Sequence, residues 1–154
     1  MDQPTQQNYE NKFAIYKPNK TTSGSAVQFD FNKEKKSVFV DAAKQKANEQ
    51  VFDWQNKLSF KLSTTDMAKL LVVLRGKLPS LELFHDPGKG SYASSADTKN
   101  STLSLSKGER GYYLKLSTQK KTGEVTAINI GISEDEAIVL QLLMEEAIRK
   151  SYGW

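Results

Sequence analysis

The chain has 154 residues, 38% of them hydrophobic and 26% charged, which suits one domain with a real core and does not suit a disordered chain. It holds no cysteine, so disulfides and thiolate metal sites are excluded, and no apolar run approaches the ~20 residues that span a bilayer. Lys and Arg number 22 against 18 acids, a net charge of +4. From Ser133 onward there are five acids and only two bases, so the net positive charge belongs to the body ahead of it. An anion-binding surface is expected there. The start Met1-Asp2-Gln3-Pro4 has neither a basic nor an apolar region of a secretory signal. The expected setting is intracellular, in cytoplasm or nucleoid, away from membranes.

Residues 1–12 are polar and predict a loose arm ahead of a single domain over 13–154. Phe13 to Lys17 predicts a short strand and Pro18 to Gly24 a turn-rich loop. Val27, Phe29 and Phe31 alternate with Gln28 and Asp30, as a half-buried strand requires. Asn32 to Lys36 reads as a hairpin loop, and Val38 and Val40 mark a third strand. Ala42 to Gln50 is polar and fits either a loop or a helical turn. Leu58, Phe60 and Leu62 alternate with Lys57, Ser59 and Lys61 in a fourth strand. Then the period changes. Ser63 precedes Asp66 by three positions, a capping box with a shortened acid, and Met67, Leu70, Leu71 and Leu74 follow at helical spacing up to Gly76.

The second half repeats the plan. Leu81 and Leu83, Leu103 and Leu105, Tyr112 with Leu114 and Leu116, and Ile128 with Ile130 and Ile132 mark four more alternating strands. Ser133-Glu134-Asp135-Glu136 is a full capping box that opens a second helix. The predicted class is α+β: two four-stranded antiparallel sheets, each followed by a helix, ββββα twice over. Between Ala137 and Met144 only Gln141 is polar, although a surface helix normally shows one apolar stripe. Either this helix is buried wholly within one subunit, or its second face meets another copy of the chain.

Signals of catalysis are poor, and an enzyme is not expected. His85 is the lone histidine, so no histidine pair or trio can hold a metal, and its step to Asp86 suits a structural hydrogen bond. Gly88-Lys89-Gly90 offers a small backbone nest without Walker spacing and reads as a turn. Met67 and Met144 are core filler. No metal or cofactor is expected. The outward set of the strands is more informative. With the apolar residues turned inward, Lys57, Ser59, Lys61, Ser104, Ser106, Tyr113, Lys115 and Ser117 face out. Lysines neutralise phosphates, hydroxyls bond phosphates or base edges, and aromatic faces stack unpaired bases. A merely solvated face would show many of the same residue types. The candidate nucleic-acid-binding set is this group without Ser106, joined by Tyr16, Lys17 and Trp54.

Four segments carry a family resemblance. Phe52-Asp53-Trp54-Gln55-Asn56-Lys57-Leu58-Ser59-Phe60-Lys61-Leu62-Ser63 resembles the aromatic-Asp-Trp strand and Leu-Ser helix start of the Whirly single-stranded-DNA-binding proteins. Leu83-Phe84-His85-Asp86-Pro87 is similar to their Phe-His-Asp-Pro step. Gly111-Tyr112-Tyr113-Leu114-Lys115-Leu116-Ser117 is similar to their Gly-Tyr-aromatic strand, and Gly153-Trp154 to the end of their second helix. The landmarks fall in the family's order from Phe13 to Trp154. Its Lys-Gly-Lys-Ala-Ala-Leu strand has only a loose counterpart in Ser23-Gly24-Ser25-Ala26-Val27-Gln28.

The resemblance implies two sheets splayed like blades, a homotetramer with helices packed inside, and single strands lying along the sheets with little sequence preference. The implied function is non-catalytic binding and protection of single-stranded DNA in replication, repair or recombination. The alternatives are an RNA-binding or annealing module and a transcription coactivator acting through protein contacts.

Overall fold

The alternation of apolar and polar residues becomes eight strands and two helices in a computed structural model that describes residues 11–85 and 98–154. Most of the expected arm, Asp86, Pro87 and the Gly88-Lys89-Gly90 nest lie outside the described residues. The strands are β1 (Lys12–Lys17), β2 (Ser25–Asn32), β3 (Ser37–Lys44), β4 (Leu58–Leu62), β5 (Ser80–His85), β6 (Thr98–Lys107), β7 (Gly111–Lys120) and β8 (Val125–Ser133). The helices are α1 (Thr64–Leu74) and α2 (Glu134–Tyr152). Two four-stranded sheets form, in the orders β1-β2-β3-β4 and β5-β6-β7-β8, and every neighbouring pair is antiparallel.

Period-two sorting decides the faces. In the first sheet Ile15, Val27, Phe29, Val38, Val40, Leu58, Phe60 and Leu62 are all buried. In the second, Leu83, Leu103, Leu105, Tyr112, Leu114, Leu116, Ile128, Ile130 and Ile132 are buried. These two sets join in one core with Met67, Leu70 and Val73 of α1 and Ala137, Leu140 and Met144 of α2. The sheets also meet through polar atoms, as Ser25 Oγ donates to the carbonyl of Asn129 at 2.6 Å. Met67 and Met144 are filler in that core, 0% and 1% exposed.

The helix starts follow from local chemistry. The amide of Asp66 donates to Ser63 Oγ at 3.1 Å, and the amide of Ser63 donates back to Asp66 Oδ2 at 3.0 Å. Aspartate is therefore long enough to close this box. Ser133 and Glu136 form the second box. Gly153 ends α2 at φ 76°, a left-handed conformation that glycine adopts without steric cost. The helices run antiparallel, since Thr64 at the start of α1 meets Tyr152 at the end of α2 while Arg75 reaches Glu145. β3 continues three residues beyond Val40 and Asp41, to Lys44, and a Gln45–Phe52 bridge extends the hairpin further. The polar stretch from Ala42 is thus strand first and loop afterwards.

Helix α2 leaves half its girth uncovered. Ala137, Leu140, Met144 and Ala147 are buried, but Ile138, Val139, Leu142 and Leu143 are 59%, 42%, 58% and 46% exposed. Full burial within one subunit is thereby ruled out.

Candidate nucleic-acid interface

The strand registers set the outward residues in rows. On the second sheet one row is Ser80, Ser106, Tyr113 and Gly131. The next is Glu82, Ser104, Lys115 and Asn129, followed by Phe84, Thr102, Ser117 and Ala127. Ser104 and Lys115 are therefore direct cross-strand neighbours, and Tyr113 and Ser117 flank Lys115 along β7 at ~7 Å per two residues. Tyr113 is 64% exposed and Phe84 61%. Their rings stand at opposite corners of a floor of hydroxyls, amides and a lysine. Tyr113 lies beside Gly108, where an added Cβ would come within 2.5 Å of its ring. The missing side chain is what lets the ring settle there. Among the described residues no acid pairs with Lys115.

The first sheet is built differently. Its outer-face rows are Tyr16, Ala26 and Ala43, the two alanines fully covered; then Ala14, Gln28, Asp41 and Ser59; then Lys12, Asp30, Phe39 and Lys61. Lys57, just ahead of β4, reaches Asp41 Oδ2 at 3.3 Å, and Ser59 Oγ donates to Asp41 Oδ1 at 2.6 Å. A carboxylate thus sits in the middle of this face, clamped between two of the predicted binding residues. The exposed Tyr16 ring meets Phe52 with centroids 5.8 Å apart. Trp54 is half-buried in a 3-10 turn between Phe52 and β4. Lys35 lies 5.5 Å from the centroid of the Phe39 ring.

Lys17 faces another task. It pairs with Glu136 at 2.8 Å, tying the end of β1 to the first turn of α2. Burial works against ionisation of Glu136, but hydrogen bonds from Lys17 and from Ser133 hold its carboxyl below the usual value. His85 is also structural. Its Nε2 lies 3.1 Å from Asp66 Oδ2 and its ring stacks on Phe60 with centroids 4.1 Å apart. The acid it meets across the fold is the one that closes the capping box of α1 with Ser63. No cluster of three or more potential metal ligands exists among the described residues.

All ten predicted residues are placed. Lys57, Ser59 and Lys61 share the first sheet's outer face with Tyr16, and Ser104, Tyr113, Lys115 and Ser117 share the second's. Lys17 and Trp54 stand at the margin. Four outward residues were overlooked in the sequence: Phe39, Asp41, Phe52 and Phe84. Parity alone points to three of them, because Val38, Val40 and Leu83 inward require Phe39, Asp41 and Phe84 outward. Phe52 lies outside the regular strands, where parity gives no signal.

The Whirly transcription factor family model matches residues 11–143. No curated protein matches the chain. Among solved structures, the plant transcriptional regulator PBF-2 superposes with a TM-score of 0.72 at 23% identity, over 93% of this chain and 82% of that one. WHY1 from Arabidopsis thaliana gives 0.71 at 24% identity, over 93% and 91%. A guide-RNA-binding protein complex bound to its guide RNA gives 0.65 at 17% identity, over 93% and 92%. At these identities the likeness is one of fold.

Proposed function

The chain belongs to the Whirly family, and on that premise we propose that it binds single-stranded nucleic acid, DNA foremost, along the outer faces of its two sheets. The observation that carries this reading is the outward placement of large aromatics on strands whose alternate residues are buried: Tyr16, Tyr113 and Phe84 are 56%, 64% and 61% exposed. An exposed ring on a sheet face is poor for solubility but suits stacking of unpaired bases. Lys115, Ser104 and Ser117 supply the phosphate and sugar contacts. The work is holding and protecting a strand, as replication, repair or recombination requires, with no catalytic step. Cytoplasm or nucleoid is the setting that goes with this.

The active form in this reading is a homotetramer joined through α2, whose exposed Ile138, Val139, Leu142 and Leu143 need a partner surface. RNA is the second reading, favoured by the likeness to a guide-RNA-binding complex and by the indifference of stacking to the sugar. A role in transcription fits the family description.

Titration of the purified protein with single-stranded DNA, duplex DNA and single-stranded RNA is the test. Clear preference for single strands is expected, because duplex stacking hides the base faces. Equal affinity for duplex would replace this reading with a generic basic surface.

A further inference from the structure

The acid at the centre of the first sheet's outer face is the feature a phosphate-binding surface least needs. Asp41 points outward in the row of Gln28 and Ser59, and 16% of its side-chain surface stays open beside a 46% exposed Lys57. An ionised carboxylate repels phosphate and only accepts hydrogen bonds. Its two oxygens offer about four lone-pair positions. Ser59 occupies one on Oδ1 and Lys57 one on Oδ2, so among the described residues each oxygen keeps an acceptor position free.

We propose that Asp41 and Lys57 form a base-reading position selective for unpaired guanine. The claim rests on the nucleic-acid reading above and adds specificity to it. The Lys57 ammonium, Asp41 Oδ2 and Asp41 Oδ1 present donor, acceptor, acceptor in that order. Guanine presents the complement along its Watson–Crick edge: the O6 acceptor, then the N1–H and N2–H donors. Cytosine itself uses the same donor-acceptor-acceptor sequence to pair with guanine. Thymine offers one N–H between two carbonyls, which a carboxylate repels, and adenine and cytosine each set an acceptor beside their amino donor. The edge is free only in a single strand, where such edges are read directly. Stacking is at hand, because Phe39 lies two residues along β3 on the same face, ~7 Å away, with Lys35 over its ring. Tyr16 and Phe52 stand on the opposite side of the Asp41 row.

The test uses the full chain and three labelled oligonucleotides of equal length: all thymine, alternating thymine and guanine, and alternating thymine and inosine, which lacks the 2-amino donor. Wild type is expected to bind the guanine strand about tenfold more tightly than the thymine strand, the scale of one good bidentate base contact. Inosine should lose much of that advantage. Asp41→Asn replaces one acceptor by a donor at unchanged volume, so it should erase the guanine preference and leave binding to thymine in place. Lys57→Met, which removes the O6 donor but not the acid, should reduce the preference by itself, with thermal melts of both variants reporting folding. Equal binding of all three strands by wild type overturns the guanine position while leaving single-strand binding intact, as does a preference that survives in Asp41→Asn. Binding of none of the strands removes the nucleic-acid reading, and the guanine position with it.

Discussion

Tyr113 and Lys115 are two residues apart on one strand, yet their proposed contributions to binding are separable. Replacing Tyr113 by Ala should weaken single-strand binding by about 1–3 kcal/mol and leave its salt dependence nearly unchanged, because stacking releases no counterions. Replacing Lys115 by Ala should lower the slope of log affinity against log salt by about 0.7 with little change in base preference. Lys57→Ala should change the slope less, because Asp41 already opposes that charge at 3.3 Å. Binding isotherms at several salt concentrations separate the three variants; identical slopes for Lys115→Ala and wild type would remove Lys115 from the phosphate path. Gly108→Val offers an independent check on Tyr113. Its Cβ would stand 2.5 Å from the ring, so the ring must leave and binding should drop toward that of Tyr113→Ala. The outward direction of Lys115 and Tyr113 was legible from alternation with Leu114 and Leu116. The quieting of Lys57 was not, because Asp41 is 16 residues away and becomes its neighbour only through the β3–β4 register.

The helices owe their starts to four residues, and ion pairs tie α2 to β1 and to α1. Ser133→Ala removes the oxygen that accepts the Glu136 amide and should cost about 1 kcal/mol, seen as a lower melting temperature. Glu136 supplies a pH effect as well. Its folded carboxyl titrates below the ordinary glutamate value of 4.5, so its contribution is fully present above that value and is lost as pH falls through the lowered one. Glu145 behaves alike, held down first by the Arg75 hydrogen bond and then by Gln141. The melting temperature should therefore fall as the pH is taken below 4.5, and Lys17→Met should flatten that fall, since Lys17 is a main cause of the lowered value. A Lys17→Met profile parallel to wild type would show that the pair carries no stability. Both caps could be recognised from spacing alone. The coupling of Lys17 to Glu136 could not, as it joins β1 to α2 across nearly the whole chain.

For the molecule as a whole, the proposed assembly rests on the open side of α2. Of the exposed Ile138, Val139, Leu142 and Leu143, the last also lines a groove of about 150 Å³ with Phe13, Phe31 and Val38, beside Lys12, Glu146 and Lys150. Large apolar side chains exposed together on one helix suit a protein interface. Light scattering on wild type should give about four times the 17.3 kDa chain mass. Ile138→Glu with Leu142→Glu places charges on that surface without touching the buried Ala137, Leu140 and Met144. The double variant should stay folded, lose mass toward the monomer, and bind long single strands more weakly as avidity is lost. A monomeric wild type would leave the exposed face of α2 without a purpose in assembly.

Order, type and facing of the elements were determined by the sequence itself. Period-two runs, period-3.6 runs and Ser-x-x-acid caps are local rules, and each is satisfied within a few residues of where it is written. The tertiary structure alone decided who meets whom: Asp41 between Lys57 and Ser59, Tyr16 against Phe52, His85 on Phe60 and Asp66, Lys17 on Glu136. Such contacts depend on strand register and on how sheets and helices dock. Those are settled by burial summed over the whole core, a non-directional force that no short stretch of residues encodes.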